Sequence, residues 1–214
     1  MEFSFVILLL AVPPLIYQGN EELRIRFTLP EIAAAAGICA GLLLLCGTSP
    51  LPRRFSLKDM LLSVTVLASL IAVMLCIWFL SPLYHSSRNP PVTFTTGSLT
   101  LFAAGTFISA CYEEILYRWY LPRTAGTILK GLSAVSGTPD GDKRYRTPEF
   151  VPETAAELLP LLLFAPAHLY LGVPAVINAF IAGTLLRTLV QKTATPFTAA
   201  AVHWIYNMLV YTWK

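Results

Sequence analysis

Two adjacent glutamates and an arginine lie within six positions of an otherwise apolar stretch of the chain. They are Glu113, Glu114 and Arg118. An ionisable side chain at membrane depth costs roughly 2.5–3.5 kcal/mol on insertion scales. Three such side chains in one apolar segment need a reason, and two histidines in later apolar segments suggest that the reason is chemistry.

Helical spacing separates the roles of the two glutamates. Glu114 and Arg118 are four positions apart, so they share a helix face, and glutamate before arginine is the favourable order for an ion pair. Glu113 points about 100° away, so it stays outside that pair as a partly desolvated carboxylate suited to act as a general base. The alternative is a pair of charges at an interfacial helix end, with Arg118 reaching toward lipid headgroups.

Two later apolar segments carry polar side chains at the same four-residue spacing. Phe164 shares a helix face with His168, and His203 shares one with Asn207. An imidazole and a carboxamide side by side can both donate hydrogen bonds to one oxygen, as an oxyanion hole requires. The alternatives are a His168 bonded to a backbone carbonyl that Pro166 leaves free, and a His203–Asn207 pair that only joins membrane helices.

The composition is that of a membrane protein. Hydrophobic residues make up 56% of the chain and charged residues 13%, against roughly 25% charged in soluble domains. Apolar runs recur along the whole chain. The sequence has no basic stripe interleaved with aromatic residues, so nothing in it indicates nucleic-acid binding. We therefore expect a single membrane-embedded domain over residues 1–214, with membrane lipids as its surroundings.

The apolar runs predict an all-α, polytopic transmembrane helical bundle, since a spanning helix needs about 20 mostly apolar residues. Seven spans are predicted, over residues 2–18, 30–47, 57–81, 97–121, 154–171, 174–191 and 195–213. The pair Pro13-Pro14 could split the first segment, which would add an eighth short helix. Residues 122–153 are predicted to be a short amphipathic helix at the membrane surface followed by an exposed loop.

The distribution of Lys and Arg predicts the orientation in the membrane. With seven spans, eleven of these residues fall on one side and four on the other. The long loop and the N-terminus are therefore expected in the cytoplasm and the C-terminus outside, with a bacterial cytoplasmic membrane as the expected location.

The order of the three motifs resembles the CAAX protease and bacteriocin-processing family of intramembrane proteases, which is related to the prenyl-protein endoproteases. The pattern EExxxR, FxxxH and HxxxN is present here as Glu113-Glu114-x-x-x-Arg118, Phe164-x-x-x-His168 and His203-x-x-x-Asn207. The resemblance covers residues 97–213. Two features depart from it: Trp119 stands where many members have glycine, and the connection from Arg118 to Phe164 is longer than usual.

The resemblance implies an intramembrane endopeptidase that hydrolyses a peptide bond with a glutamate-activated water. Its substrate would be a peptide or a prenylated, membrane-associated protein. Glu113 and His168 would activate the water, His203 and Asn207 would stabilise the oxyanion, and Glu114, Arg118 and Phe164 would support the site.

Other functions remain open at the level of sequence. Two histidines and a carboxylate could form a three-ligand zinc site, although the HExxH spacing is missing and zinc would occupy the groups needed as base and oxyanion donors; we therefore expect no cofactor. A catalytically silent scaffold or bacteriocin-immunity-type protein could keep the same fold. A transporter with a buried proton relay is a further alternative.

Overall fold

The protein is described by a computed structural model over residues 2–11, 27–47, 55–80, 96–135 and 150–212. These residues form helices, with no β-strand among them, so the predicted all-α class is confirmed. The elements are α1 (Glu2–Val6, continued by a π-turn over Ile7–Ala11), α2 (Leu29–Leu45), α3 (Leu57–Leu80), α4 (Thr96–Glu113), a π-helical segment (Glu114–Tyr120), α5 (Leu121–Val135), α6 (Phe150–Phe164), a 3-10 turn (Pro166–Leu171), α7 (Val173–Thr193) and α8 (Pro196–Thr212).

Four helices in the described ranges are long and apolar enough to cross a membrane. They cover Leu57–Leu80, Gly97–Leu132, Glu153–Leu171 and Val173–Thr193. The helices α2 and α8 have 17 residues each, at the lower end of the spanning range. Only part of the first predicted span is described, so the count of seven spans stays a prediction.

Capping side chains explain where two of these helices begin. The backbone N–H of Thr28 donates to Glu31 Oε2 at 2.8 Å, and the backbone N–H of Ser56 donates to Asp59 Oδ2 at 2.9 Å. In both cases a carboxylate three residues into the helix satisfies a donor at its open end. The strongly apolar α3 begins directly after Ser56, with a mean hydropathy of 2.7 over its best window.

The helix that contains the fourth predicted span does not end near residue 121. Helix α4 continues through the π-helical segment into α5 without a break, as a helical stretch of 36 residues over Gly97–Leu132. At 1.5 Å per residue it is about 54 Å long, which exceeds the roughly 30 Å hydrocarbon core. The predicted helix at the start of residues 122–153 is present as α5, which continues directly from the preceding helix and packs against α6. The exposed loop expected after it is helical from Phe150 onward, and residues 136–149 lie outside the described part of the chain.

Pro122 explains a hydrogen bond between α7 and the end of the π-helical segment. A proline has no N–H, so the carbonyl of Arg118, four residues earlier, lacks its ordinary α-helical donor. Arg187 supplies one, because its Nη1 donates to Arg118 O at 2.5 Å. The same guanidinium binds Glu157 of α6 through Nε and Nη2, at 2.5 and 2.6 Å. One arginine thus joins α6, α7 and the π-helical segment.

Two glycines allow the close packing of α6 and α7. Gly172 separates the 3-10 turn from α7 with a φ of 92°, a left-handed conformation that glycine adopts without strain. Gly183 lies where α7 approaches its neighbours most closely: a Cβ there would be 2.6 Å from Leu161 Cδ1 and 3.4 Å from Arg118 Nη2. A side chain at 183 would therefore displace Leu161 and press against Arg118.

The remaining contacts define the bundle around α4 and α8. These two helices pack against each other, α2 packs on α4, and α3 packs on α7 and α8. One buried cluster surrounds the end of α4 with Cys111, Ile115 and Leu116. A second joins α3, α7 and α8 through residues such as Leu70 and Leu186.

Replacing Arg187 with methionine should lower stability by about 1–3 kcal/mol, since the Arg118 carbonyl and Glu157 both lose their charged donor. Glu157→Gln is the matched control. It keeps Arg187 and its bond to the carbonyl, so it should cost less than about 1 kcal/mol at this partly exposed pair. Thermal unfolding of the detergent-solubilised protein measures both. Equal losses in the two variants would show that the ion pair, and not the bond to the carbonyl, stabilises the bundle.

Candidate active site

The four predicted catalytic side chains line a single cavity of about 410 Å³. Glu113 comes from the end of α4, His168 from the 3-10 turn, and His203 and Asn207 from successive turns of α8. The rest of the lining is largely aromatic and aliphatic, contributed by α2, α4, α8 and the 3-10 turn. The structure therefore brings together, from three separate segments, side chains that the sequence distinguished by spacing alone.

The predicted Glu114–Arg118 ion pair is present below the cavity. Arg118 Nη1 lies 3.3 Å from Glu114 Oε1, and their side chains are 3% and 0% exposed. Such a buried pair survives when further hydrogen bonds compensate the desolvation of both charges. One comes from the facing helix, where His203 Nδ1 lies 2.8 Å from the same Glu114 oxygen.

The bond to Glu114 fixes the proton on His203 Nδ1. A carboxylate oxygen only accepts, so the imidazole nitrogen must be the donor. His203 Nε2 then points toward Glu113, with 3.8 Å between Nε2 and Glu113 Oε2. The ring lies between two carboxylates: the buried Glu114 holds one nitrogen, and the cavity-lining Glu113 faces the other.

Glu113 has the partly desolvated environment that the sequence predicts. Its side chain is 24% exposed, and Ser109 Oγ donates a long hydrogen bond of 3.5 Å to Oε1. The atom Oε2 is buried, with no hydrogen-bond partner among the described residues. Glu113 therefore makes only longer contacts, at 3.5 Å to Ser109 and 3.8 Å to His203, whereas Glu114 makes close contacts to Arg118 and His203.

His168 is held by its own segment. The chain tightens into the 3-10 turn, so the backbone N–H of His168 donates to Ala165 O at 3.1 Å. This leaves the Phe164 carbonyl without its α-helical donor, and His168 Nδ1 lies 3.1 Å from that oxygen. Because a carbonyl only accepts, Nδ1 carries the proton and Nε2 keeps its lone pair. His168 is therefore bonded to a backbone carbonyl, that of Phe164, and also lines the cavity.

Phe164 connects the first motif to the second. Its ring is 3% exposed and lies 3.7 Å below the guanidinium carbon of Arg118. The His168 ring packs on it at 4.8 Å between centroids, and the Tyr117 ring at 5.3 Å. The Phe164 ring therefore contacts both His168 and the Arg118 of the Glu114–Arg118 pair.

Several residues that line the cavity were not singled out at the level of sequence, and two of them are Ser109 and Tyr117. They lie four positions before and four after Glu113, so the helical spacing itself could have identified them. Neither residue type is rare in an apolar helix, and without the cavity nothing distinguished them from packing residues.

The described residues contain no group of three or more His, Cys, Asp or Glu side chains placed to hold a metal ion. His168 and His203 nevertheless each keep a ring nitrogen outside their fixed hydrogen bond. That nitrogen is the atom a metal ligand would use, so the residues are chemically able to serve as ligands.

Comparison with known proteins gives one match. The family model described as "Type II CAAX prenyl endopeptidase Rce1-like" matches residues 95–209, more than half of the chain. The matched range begins just before α4 and includes all three motifs. No curated protein and no solved structure matches the chain.

The two glutamates should respond differently to the same substitution. Glu114→Gln leaves Arg118 and His203 without their shared carboxylate in a fully buried position, so it should lower stability by about 3–5 kcal/mol. Glu113→Gln changes a partly exposed carboxylate whose Oε2 has no partner in the described structure, so it should change stability by less than about 1 kcal/mol. Thermal unfolding of both variants in detergent measures the difference. Equal stability of the two variants would contradict the division of roles.

Proposed function

Because the chain belongs to the type II CAAX prenyl endopeptidase family, an intramembrane protease family, we propose that it hydrolyses a peptide bond with a water activated by Glu113. The observation that carries this proposal is the convergence of Glu113, His168, His203 and Asn207 on one cavity within the bundle. A carboxylate outside the Glu114–Arg118 pair, a histidine with a free lone pair and two adjacent donors are the parts that amide hydrolysis requires.

In the proposed reaction Glu113 accepts a proton from water while the water oxygen attacks the scissile carbonyl carbon. His168 Nε2 accepts the second water proton as a hydrogen bond and so orients the oxygen. The carbonyl electrons move onto the oxygen, and the resulting oxyanion is held by His203 Nε2 and the Asn207 amide. Glu113 then passes its proton to the leaving amine, and the peptide bond breaks to an acid and an amine.

The charges around His203 support its assignment as an oxyanion donor. With Nδ1 donating to Glu114, the ring can donate from Nε2 only as an imidazolium. In the proposed mechanism this ring lies between two carboxylates, with His203 Nδ1 2.8 Å from Glu114 Oε1 and Nε2 3.8 Å from Glu113 Oε2. Carboxylates this close favour a donor with positive charge.

The proposed substrate is the C-terminal part of a prenylated protein or a membrane-associated peptide. The cavity is lined by several aromatic side chains beside the polar groups, an environment suited to an apolar chain next to the scissile bond. A catalytically silent scaffold is the alternative from a different class. A scaffold would not require a partly buried carboxylate at position 113 in addition to the Glu114–Arg118 ion pair.

The proposed orientation places the long loop and the N-terminus in the cytoplasm, with a bacterial cytoplasmic membrane as the location. It rests on the eleven-to-four division of Lys and Arg across the predicted spans.

Purified wild-type protein should release a tripeptide from a farnesylated peptide ending in a CAAX sequence, measured by mass spectrometry. Glu113→Gln should lower kcat by about 10²–10⁴-fold, the usual contribution of a general base. Asn207→Ala should lower kcat by about 10²–10³-fold, the usual effect of one lost oxyanion donor. A Glu113→Gln protein with wild-type turnover would refute the mechanism. Cleavage of the unprenylated peptide alone would correct the substrate class.

The same assay decides between the glutamate mechanism and a metal-dependent one. Dialysis against a chelator should spare activity, and elemental analysis should find less than one zinc per chain. If one zinc per chain copurifies, and activity is lost and restored with it, then Glu113, His168 and His203 must be reassigned as its ligands.

Cysteine labelling tests the orientation. In a variant whose four native cysteines are replaced, Gly141→Cys should resist a membrane-impermeant reagent in intact cells and react after lysis. A cysteine added after Lys214 should react in intact cells. Strong labelling at position 141 in intact cells would reverse the proposed orientation.

A further inference from the structure

Tyr117 has a buried hydroxyl group for which the motifs provide no role. The residue lines the cavity beside Glu113 and His168 and is 4% exposed. Its hydroxyl has no hydrogen-bond partner among the described residues. Burying such a group without a partner is unfavourable, so its presence at a catalytic cavity needs an explanation.

The tyrosine ring packs against Phe164, next to the groups proposed to act on water. Tyr117 is four residues after Glu113, and its ring packs edge-on against Phe164 at 5.3 Å between centroids. Phe164 in turn packs against His168 at 4.8 Å. Glu113 Oε2 is itself buried without a partner in the described structure. A donor and an acceptor, neither of which has a hydrogen-bond partner among the described residues, therefore belong to the lining of one cavity.

We propose that the Tyr117 hydroxyl is a further catalytic group, which donates a hydrogen bond to the hydrolytic water. This inference rests on the proposed function. A water molecule has two protons and two lone pairs. Glu113 and His168 accept its two protons, and Tyr117 occupies one lone pair, so a single lone pair remains for the attack.

The bond changes balance without a proton from Tyr117. The bond between the water oxygen and the carbonyl carbon forms as one water proton moves to Glu113. The carbonyl electron pair moves to the oxyanion held by His203 and Asn207. Tyr117 keeps its proton throughout, so its contribution is to hold the water oxygen in line with the carbonyl carbon.

The test is Tyr117→Phe, which removes only the oxygen atom and keeps the ring contact with Phe164. We expect kcat to fall about tenfold at saturating substrate, the size of effect expected from one hydrogen bond at the transition state. KM should stay within about twofold. The melting temperature should stay the same or rise, because the buried hydroxyl has no hydrogen-bond partner among the described residues to lose.

Tyr120→Phe is the matched control. Tyr120 is equally buried in the same π-helical segment, at 3% exposure, and is not among the residues that line the cavity. Its substitution should leave kcat within about twofold of wild type.

Three results overturn the assignment of Tyr117. These are a kcat for Tyr117→Phe within twofold of wild type, a loss carried entirely by KM, and a melting temperature that falls in proportion to the activity. In each of these cases an active wild-type protein leaves the proposed function standing. A wild-type protein that cleaves none of the substrates overturns both proposals.

Discussion

The carboxylate of Glu114 is the group on which the arrangement of the site depends. It is fully buried, it pairs with Arg118 on its own helix, and it holds His203 of α8 at 2.8 Å. A buried charge this deep is tolerated only when its partners are close and correctly oriented. Through its bond to His203, the Glu114 carboxylate stabilises the contact between α4 and α8. The same bond fixes which nitrogen of His203 faces the cavity.

Spacing within one helix was readable from the sequence, whereas contact between helices was not. The four-residue intervals predicted the Glu114–Arg118 pair, the Phe164–His168 pair and the common face of His203 and Asn207. The bond from His203 to Glu114 joins positions 89 residues apart, and no periodicity encodes it. The same limit applies to the bond of Arg187 to the carbonyl of Arg118.

The apolar segments were predicted well in type and less well in extent. The sequence placed the end of the fourth span near residue 121, because Pro122 and the basic residues that follow are typical of a helix end. The structure continues the helix through a π-helical segment, in which all seven residues are buried. Such segments are rare, and they frequently occur at functional sites. The widened turn carries Glu114, Tyr117 and Arg118, so the feature that sequence propensity could not foresee is the one that positions part of the site.

The two histidines have different proposed roles within a single cavity. In both, Nδ1 is fixed by an oxygen, so Nε2 is the nitrogen left for the proposed reaction. The oxygens differ in charge. The Phe164 carbonyl is neutral, so it fixes the tautomer of His168 without compensating a positive ring, and this suits a ring that stays neutral and accepts a hydrogen bond through Nε2. The Glu114 carboxylate would compensate a positive ring, which suits the proposed role of His203 as a donor to a developing oxyanion. The proposed roles of His168 and His203 therefore follow from the partner of the nitrogen that does not react.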